Sequence, residues 1–107
     1  MKKNNIFHEL FSILEQRKTA SPESSYVARL FAEGTGKINE KIAEEAGEVC
    51  EAADETGTEH LVYEICDLLF HTFVLAAHKN ITLQDIENEL SRRYGKSGLE
   101  EKASRKK

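Results

Sequence analysis

Helical periodicity is the feature that most limits how this chain of 107 residues can fold. Apolar residues recur at intervals of three and four along the sequence, and strand-like alternation is almost absent. The pattern predicts five helices, at about residues 4–18, 22–33, 36–56, 59–79 and 82–94. Because connections of only a few residues favour antiparallel neighbours, we predict an all-α fold, an antiparallel bundle of about five helices.

Capping residues support these boundaries. Ser21 is a candidate N-cap of the second helix, with Pro22 in its first turn, and Gly34 ends that helix. Thr82 and Asp85 resemble a capping box at the start of the fifth helix. The other marked boundaries are Gly57 after the third helix, Thr58 before the fourth and Gly95 after the fifth.

Length and composition predict a single domain over residues 1–107, with a basic C-terminal tail from about residue 95. The apolar content of 39% is low for a compact monomer, so part of the core is expected to be completed by a second copy of the chain. No apolar run approaches the roughly 18–20 residues that span a bilayer, and no signal peptide is evident, so a soluble cytoplasmic protein is expected.

Cys50 and Cys66 lack metal-ligand spacing and are interpreted as buried, reduced thiols.

Charge is distributed very unevenly behind a net charge of −4. Residues 40–67 carry ten acids and one base, which gives −9, whereas residues 92–107 carry seven bases and two acids, which gives +5. The negative total and the lack of a basic surface interleaved with aromatic residues argue against nucleic-acid binding. The question is whether the acidic block is a solvated surface or a site for chemistry.

The third predicted helix places a carboxylate in the middle of its apolar face. At about 100° per residue from Ile38, Ile42 and Val49 lie at about 40° and 20°, and Glu45 lies between the apolar positions at about 340°. Glu48 follows at about 280° and Glu44 at about 240°. A carboxylate on an apolar face is costly unless something pairs with it.

The fourth predicted helix is apolar around nearly its whole circumference, so we expect it to be buried on most sides. Its exceptions are Glu64, Asp67 and His71, which form one polar stripe about 60° wide. A stripe this narrow on an apolar helix is expected to face a polar site inside the molecule.

Packing of these two helices would bring the acids of both to one place, since antiparallel helices pack with axes about 8–10 Å apart. Clustered carboxylates repel one another and raise each other's pKa unless cations neutralise them. Oxygen ligands without thiolates favour Mg²⁺ or Mn²⁺, and Mg²⁺ commonly also binds phosphate oxygens. The pattern therefore indicates a metal site for a phosphorylated substrate, formed by Glu44, Glu45, Glu48, Glu64 and Asp67.

Alternative interpretations differ from residue to residue. A solvated surface is the preferred interpretation for Glu40, Glu51, Asp54, Glu55 and Glu59. Structural salt bridges are the alternative for Glu45, Glu48, Glu64 and Asp67, whereas the angle of Glu44 suits either interpretation. His71 is interpreted as a hydrogen-bonded core histidine in preference to a ligand. A di-iron centre is disfavoured because no histidine follows a glutamate by three residues.

Four segments carry a resemblance to a known family. Lys41–Val49 and Glu64–His71 resemble the acidic helices of the MazG-like, all-α nucleoside-triphosphate pyrophosphohydrolases. Ser25–Leu30 and the tail segment Ser97–Arg105 look more specifically like the phosphoribosyl-ATP pyrophosphohydrolase family. The resemblance covers about residues 6–105, and the tail segment is its most specific part.

The resemblance implies Mg²⁺-assisted hydrolysis of phosphoribosyl-ATP to phosphoribosyl-AMP and pyrophosphate, the second step of histidine biosynthesis, in a homodimer. By position it implies that the metal-binding acids are Glu44, Glu45, Glu48, Glu64 and Asp67. It also places Lys41 near the phosphates.

Roles for individual groups remain hypotheses at this point. Glu45 or Glu48 is a candidate general base for the attacking water. Further candidate phosphate-binding residues, in addition to Lys41, are Arg29, Arg92, Arg93, Lys102 and Arg105. Ordinary surface charge is the preferred interpretation for Arg29, Arg92 and Arg93. Two other functions stay open: hydrolysis of a different nucleoside triphosphate, and a non-catalytic helical dimer whose acids form salt bridges.

Overall fold

Five helices make up the regular structure of the computed structural model, which describes residues 5–95. They are α1 (Ile6–Arg17), α2 (Tyr26–Glu33), α3 (Thr35–Ala52), α4 (Glu59–His78) and α5 (Leu83–Tyr94). No strand occurs in this part of the chain, so the predicted all-α fold is confirmed.

The second helix begins later than predicted. Its N-cap is Ser25, whose Oγ accepts a hydrogen bond from the Ala28 N–H at 3.1 Å. The predicted cap, Ser21, instead closes a turn, because its Oγ accepts from the Glu23 N–H at 3.1 Å. Pro22 therefore lies in this turn and not in a helix, and Ser-Pro sequences start both kinds of structure equally well.

The α3–α4 connection is longer than predicted, because α3 ends at Ala52. Gly57 lies within this connection at φ 86°, a backbone conformation that glycine adopts without steric cost. Thr58 precedes α4 as predicted, but its side chain makes no capping hydrogen bond. At α5 the predicted capping box is confirmed: the Asp85 N–H donates to Thr82 Oγ1 at 3.0 Å, and the Thr82 N–H donates to Asp85 Oδ2 at 2.9 Å.

The largest fully buried side chains come from four of the helices and form one core. They are Leu14 of α1, Leu30 of α2, Ile38 of α3 and Val74 of α4. The most extensive helix pair is α3 with α4. This pair carries all five of the predicted metal-binding acids, so the main packing contact of the fold also determines where those acids lie.

Helix α4 is less buried than predicted. Its buried apolar residues all follow His71, whereas Val62 and Tyr63 are 56% and 65% exposed, and Ile65 and Leu69 are also exposed. The prediction of burial on most sides is therefore wrong for a single chain. Periodicity identified the apolar surface correctly, but the other described helices do not cover the N-terminal part of it.

The two cysteines follow the same pattern. Cys50 of α3 and Cys66 of α4 are both free thiols, and both are exposed. The interpretation of these residues as buried is wrong for a single chain, because each lies on a helix surface that the described helices leave uncovered.

Helix α4 is long and apolar enough to cross a membrane by the criteria of length and composition alone. The central helix of a bundle satisfies the same criteria, and α4 packs extensively against α3. It also carries Glu64, Asp67 and His71 on its inner side, where charged groups in a bilayer would be costly. Length and composition therefore support membrane insertion only weakly.

Candidate active site

Helices α3 and α4 bring four of the five predicted acids together. Carboxylate oxygens of Glu45, Glu48 and Glu64 lie within 4.8 Å of one another. A second group, within the same distance, consists of Glu45, Asp67 and a ring nitrogen of His71. Glu45 belongs to both groups, so the carboxylate predicted to lie in the middle of the apolar face is the centre of the cluster.

Two of these carboxylates are buried and only partly satisfied. Glu45 and Glu64 are each 6% exposed, and the Oε1 atom of each is buried without a hydrogen-bond donor in residues 5–95. Burying a carboxylate oxygen without a partner is costly. A divalent cation would satisfy both atoms, and an all-oxygen set of carboxylates is the donor type that Mg²⁺ and Mn²⁺ favour. The residues present therefore fit such an ion.

The charge of the cluster changes the acidity of its central member. Burial, together with the neighbouring carboxylates of Asp67 and Glu48, raises the pKa of Glu45 to about 7. Near neutral pH a proton and a cation would therefore compete for this carboxylate.

Glu44 lies apart from the cluster. Its side chain is exposed, and it belongs to neither group of converging acids found among residues 5–95. Its Oε1 instead accepts a hydrogen bond from Lys41 Nζ at 3.3 Å, which raises the pKa of Lys41. The predicted metal-binding role of Glu44 stays a prediction, and Lys41 is held one helical turn before Glu45.

His71 links the site to α2. Its Nδ1–H donates to the backbone carbonyl of Asp67 at 2.9 Å, and its Nε2 lies 2.9 Å from the Tyr26 hydroxyl. In the neutral ring Nε2 accepts the hydrogen bond from that hydroxyl. This geometry agrees with the interpretation of His71 as a hydrogen-bonded core histidine.

Tyr26 is a residue of the site that the sequence analysis did not select. Burial is the main cause that raises the pKa of its hydroxyl, and the charges of Asp67 and Glu45 add to the effect. The available signal was that Tyr26 lies within Ser25–Leu30, one of the segments that carry the family resemblance.

His60 and Glu55 were also missed. The His60 ring lies between two carboxylates, with Nδ1 3.0 Å from Glu55 Oε2 and Nε2 2.9 Å from Glu64 Oε2. The hydrogen bond to Glu55 is the main cause that raises the pKa of His60, and the bond to Glu64 adds to the effect. The sequence analysis interpreted Glu55 as solvated and did not predict its contact with His60. The contact of His60 with Glu64 could have been predicted, because a spacing of four residues places both on one helix face.

The predicted phosphate-binding residues divide into two groups. Arg29 is exposed, and its guanidinium carbon lies 5.9 Å from the centre of the Tyr26 ring, near the start of α2. Lys102 and Arg105, like the tail segment Ser97–Arg105, lie outside the described residues.

Two further arginines are held on the surface of α5. Glu89 accepts hydrogen bonds from Arg92 and Arg93, each with a shortest distance of 2.7 Å. These two side chains lower the pKa of Glu89 to about 2.

Comparison with known proteins places this cluster in a family. Residues 7–94 match the phosphoribosyl-ATP pyrophosphohydrolase family. Proteins named phosphoribosyl-ATP pyrophosphatase are similar over nearly their whole length. That of Neisseria gonorrhoeae is 52% identical, covering 95% of both chains. That of Ruthia magnifica is 49% identical, covering 95% of this chain and 97% of its own. That of Hydrogenovibrio crunogenus is 48% identical, covering 97% of this chain and 96% of its own.

The family match includes every acid of the cluster, and the resemblance inferred from the sequence is confirmed. The chain belongs to the phosphoribosyl-ATP pyrophosphohydrolase family.

Proposed function

We propose that this chain hydrolyses phosphoribosyl-ATP to phosphoribosyl-AMP and pyrophosphate in histidine biosynthesis, as a soluble cytoplasmic enzyme. The observation that carries the proposal is the convergence of Glu45, Glu48 and Glu64 in a chain of this family. The printed names of the relatives, which align over nearly the whole chain, support the choice of substrate.

Mg²⁺, or alternatively Mn²⁺, is the cofactor that the cluster fits. Glu45, Glu48, Glu64 and Asp67 would hold it, with Glu44 as a further candidate at the edge of the site. When bound, the ion would offset the negative charge of the triphosphate and lower the pKa of a coordinated water.

The side chains of the cluster have separate tasks in this proposal. Glu45, with its pKa near neutrality, and Glu48, which is exposed to the solvent side, are the two candidates to accept the proton of the attacking water. Lys41 would exchange its bond to Glu44 for one to a phosphate oxygen. Arg29, Lys102 and Arg105 are further candidates for phosphate binding.

A homodimer is the second part of the proposal. A groove of about 400 Å³ between α1 and α4 is lined mainly by apolar side chains. These include Ile6, Phe7, Leu10, Tyr63, Leu69 and Phe70. Apolar surface of this kind is rarely left exposed in a soluble protein, so we assign it to a second copy of the chain. Asp67 also lines the groove, which would place the partner beside the active site.

Sedimentation velocity tests the dimer. Wild type is expected to sediment as a dimer, and Tyr63→Asp, which places a charge at an exposed position in the groove, as a monomer. A monomeric wild type would contradict the assignment.

Pyrophosphate release tests the activity. Phosphoribosyl-ATP should be turned over with Mg²⁺ and not with a chelator, whereas ATP, as the control substrate, should react far more slowly. Glu48→Gln is expected to lose most turnover while retaining its helical circular-dichroism spectrum. Near-normal turnover in that variant would contradict the metal assignment, and equal turnover of ATP would contradict the assignment of the substrate.

A further inference from the structure

A row of three side chains runs from the α3–α4 connection into the acidic cluster. Glu55, in the connection, accepts from His60 Nδ1 through both of its oxygens, at 3.1 Å and 3.0 Å. On the other side of the ring, His60 Nε2 lies 2.9 Å from Glu64 Oε2. Both partners are carboxylates, whose oxygens accept hydrogen bonds, so each ring nitrogen of His60 faces an acceptor.

The two oxygens of Glu64 differ as a result. Oε2 is bonded to His60, whereas Oε1 is buried and has no donor in the described part of the chain. Fixing one oxygen limits rotation of the carboxylate and leaves the other available to a cation shared with Glu45 and Glu48. Hydrogen bonds of this kind commonly orient the ligands of a metal and strengthen its binding.

Charge is the opposing effect. A protonated imidazole beside a cation site repels the cation, which would weaken binding. Glu55 offsets this charge from the far side of the ring, because its carboxylate contacts Nδ1. A protonated ring and Glu55 together would carry little net charge, and the hydrogen bond to Glu64 still orients that carboxylate.

We propose that His60, with its ring fixed by Glu55, is a positioning residue that holds the Glu64 carboxylate ready to bind a divalent cation. The inference rests on the proposed metal centre. It assigns a role to His60 and Glu55, two residues that are not among the five predicted metal-binding acids.

Two isosteric variants separate orientation from simple removal of the ring. Asparagine places its amide nitrogen near the position of Nδ1 and so retains the bond to Glu55. Glutamine places its amide nitrogen near Nε2 and so retains the bond to Glu64. The two variants are compared by their binding of Mn²⁺ in the full chain without substrate. Binding is measured from the electron paramagnetic resonance signal of free Mn²⁺. We expect a Kd about 10-fold higher for His60→Asn and within about threefold of wild type for His60→Gln.

Glu55 has a matched control in Glu59, an exposed glutamate adjacent to His60. Glu55→Gln and Glu59→Gln each remove one negative charge. Mn²⁺ binding should weaken several-fold in the first variant and stay unchanged in the second. Thermal unfolding without metal checks that every variant is folded.

Three results would overturn the inference. They are unchanged or tighter binding in His60→Asn, equal weakening in His60→Asn and His60→Gln, and equal weakening in Glu55→Gln and Glu59→Gln. A wild-type chain that binds no Mn²⁺ would overturn the metal centre itself. If instead the wild type binds Mn²⁺ and the His60 variants bind it equally well, only the role of His60 is overturned.

Discussion

The two halves of α4 use the same helical periodicity for opposite purposes. In the C-terminal half, apolar residues such as Val74, which is fully buried, pack into the core and stabilise the fold. In the N-terminal half most apolar residues are exposed, and the buried side chain is a carboxylate, Glu64. Burial of the Glu64 carboxylate costs free energy, and packing elsewhere in the bundle offsets this cost. The site requires the carboxylate to lie away from water. Stability and function therefore lie on different turns of one helix.

Replacing the buried acid should have the largest effect, and it should fall on activity. Glu64→Gln keeps the shape of the side chain and removes its charge, so turnover of phosphoribosyl-ATP should fall roughly 1,000-fold. Stability without metal should be unchanged or higher, since a neutral amide is cheaper to bury. Turnover assays and denaturant unfolding measure the two effects, with Glu59→Gln as the surface control. Turnover within about twofold of wild type would remove Glu64 from the site.

The pH dependence of stability tests the cost of burying the cluster. The pKa of Glu45 rises from an ordinary value of 4.5 to about 7 on folding. The folded state therefore binds more protons than the unfolded state between these values. Stability without metal should fall by up to about 3 kcal/mol as the pH rises from about 4.5 to about 7.

Urea unfolding in a chelator, compared between pH 5 and pH 7.5, measures this loss. In Glu45→Gln the difference in stability between the two pH values should be smaller. For the wild-type protein, Mg²⁺ should restore the stability that is lost at the higher pH. The same loss of stability in Glu45→Gln as in wild type would assign the effect to other groups.

A matched pair of valines compares the two halves of α4 directly. Val74→Ala removes two buried methyl groups and should lower the free energy of unfolding by about 2 kcal/mol. Val62→Ala, at an exposed position, should change it by less than about 0.5 kcal/mol at high dilution, where a second copy contributes least. Equal losses at both positions would show that the two halves of the helix are not distinct.

The sequence was sufficient to predict that four of the five acids converge, because helical periodicity fixes the direction of each side chain relative to its neighbours, but it did not predict that Glu44 lies apart. Glu45 and Glu64 were placed on inner faces by angle alone, and both are buried. Periodicity does not show whether a given apolar face is covered by the same chain or by another. For that reason the exposure of Tyr63 and Cys66 was not foreseen.

Turns and connections were harder to predict for a different reason. Ser21 and Ser25 have equivalent capping chemistry, and the helix begins after Ser25. Glu55 lies in a connection, where no period fixes the direction of a side chain, so its contact with His60 required the structure. The tail segment Ser97–Arg105, which carried the most specific part of the resemblance, lies outside the described residues.

Anomalous diffraction from crystals grown with Mn²⁺ can show whether α3 and α4 form a divalent-metal centre. We expect an anomalous peak among the carboxylates of Glu45, Glu48 and Glu64, within coordination distance of Glu64 Oε1. A cluster without such a peak, with its acids paired instead to lysine or arginine side chains, would contradict it.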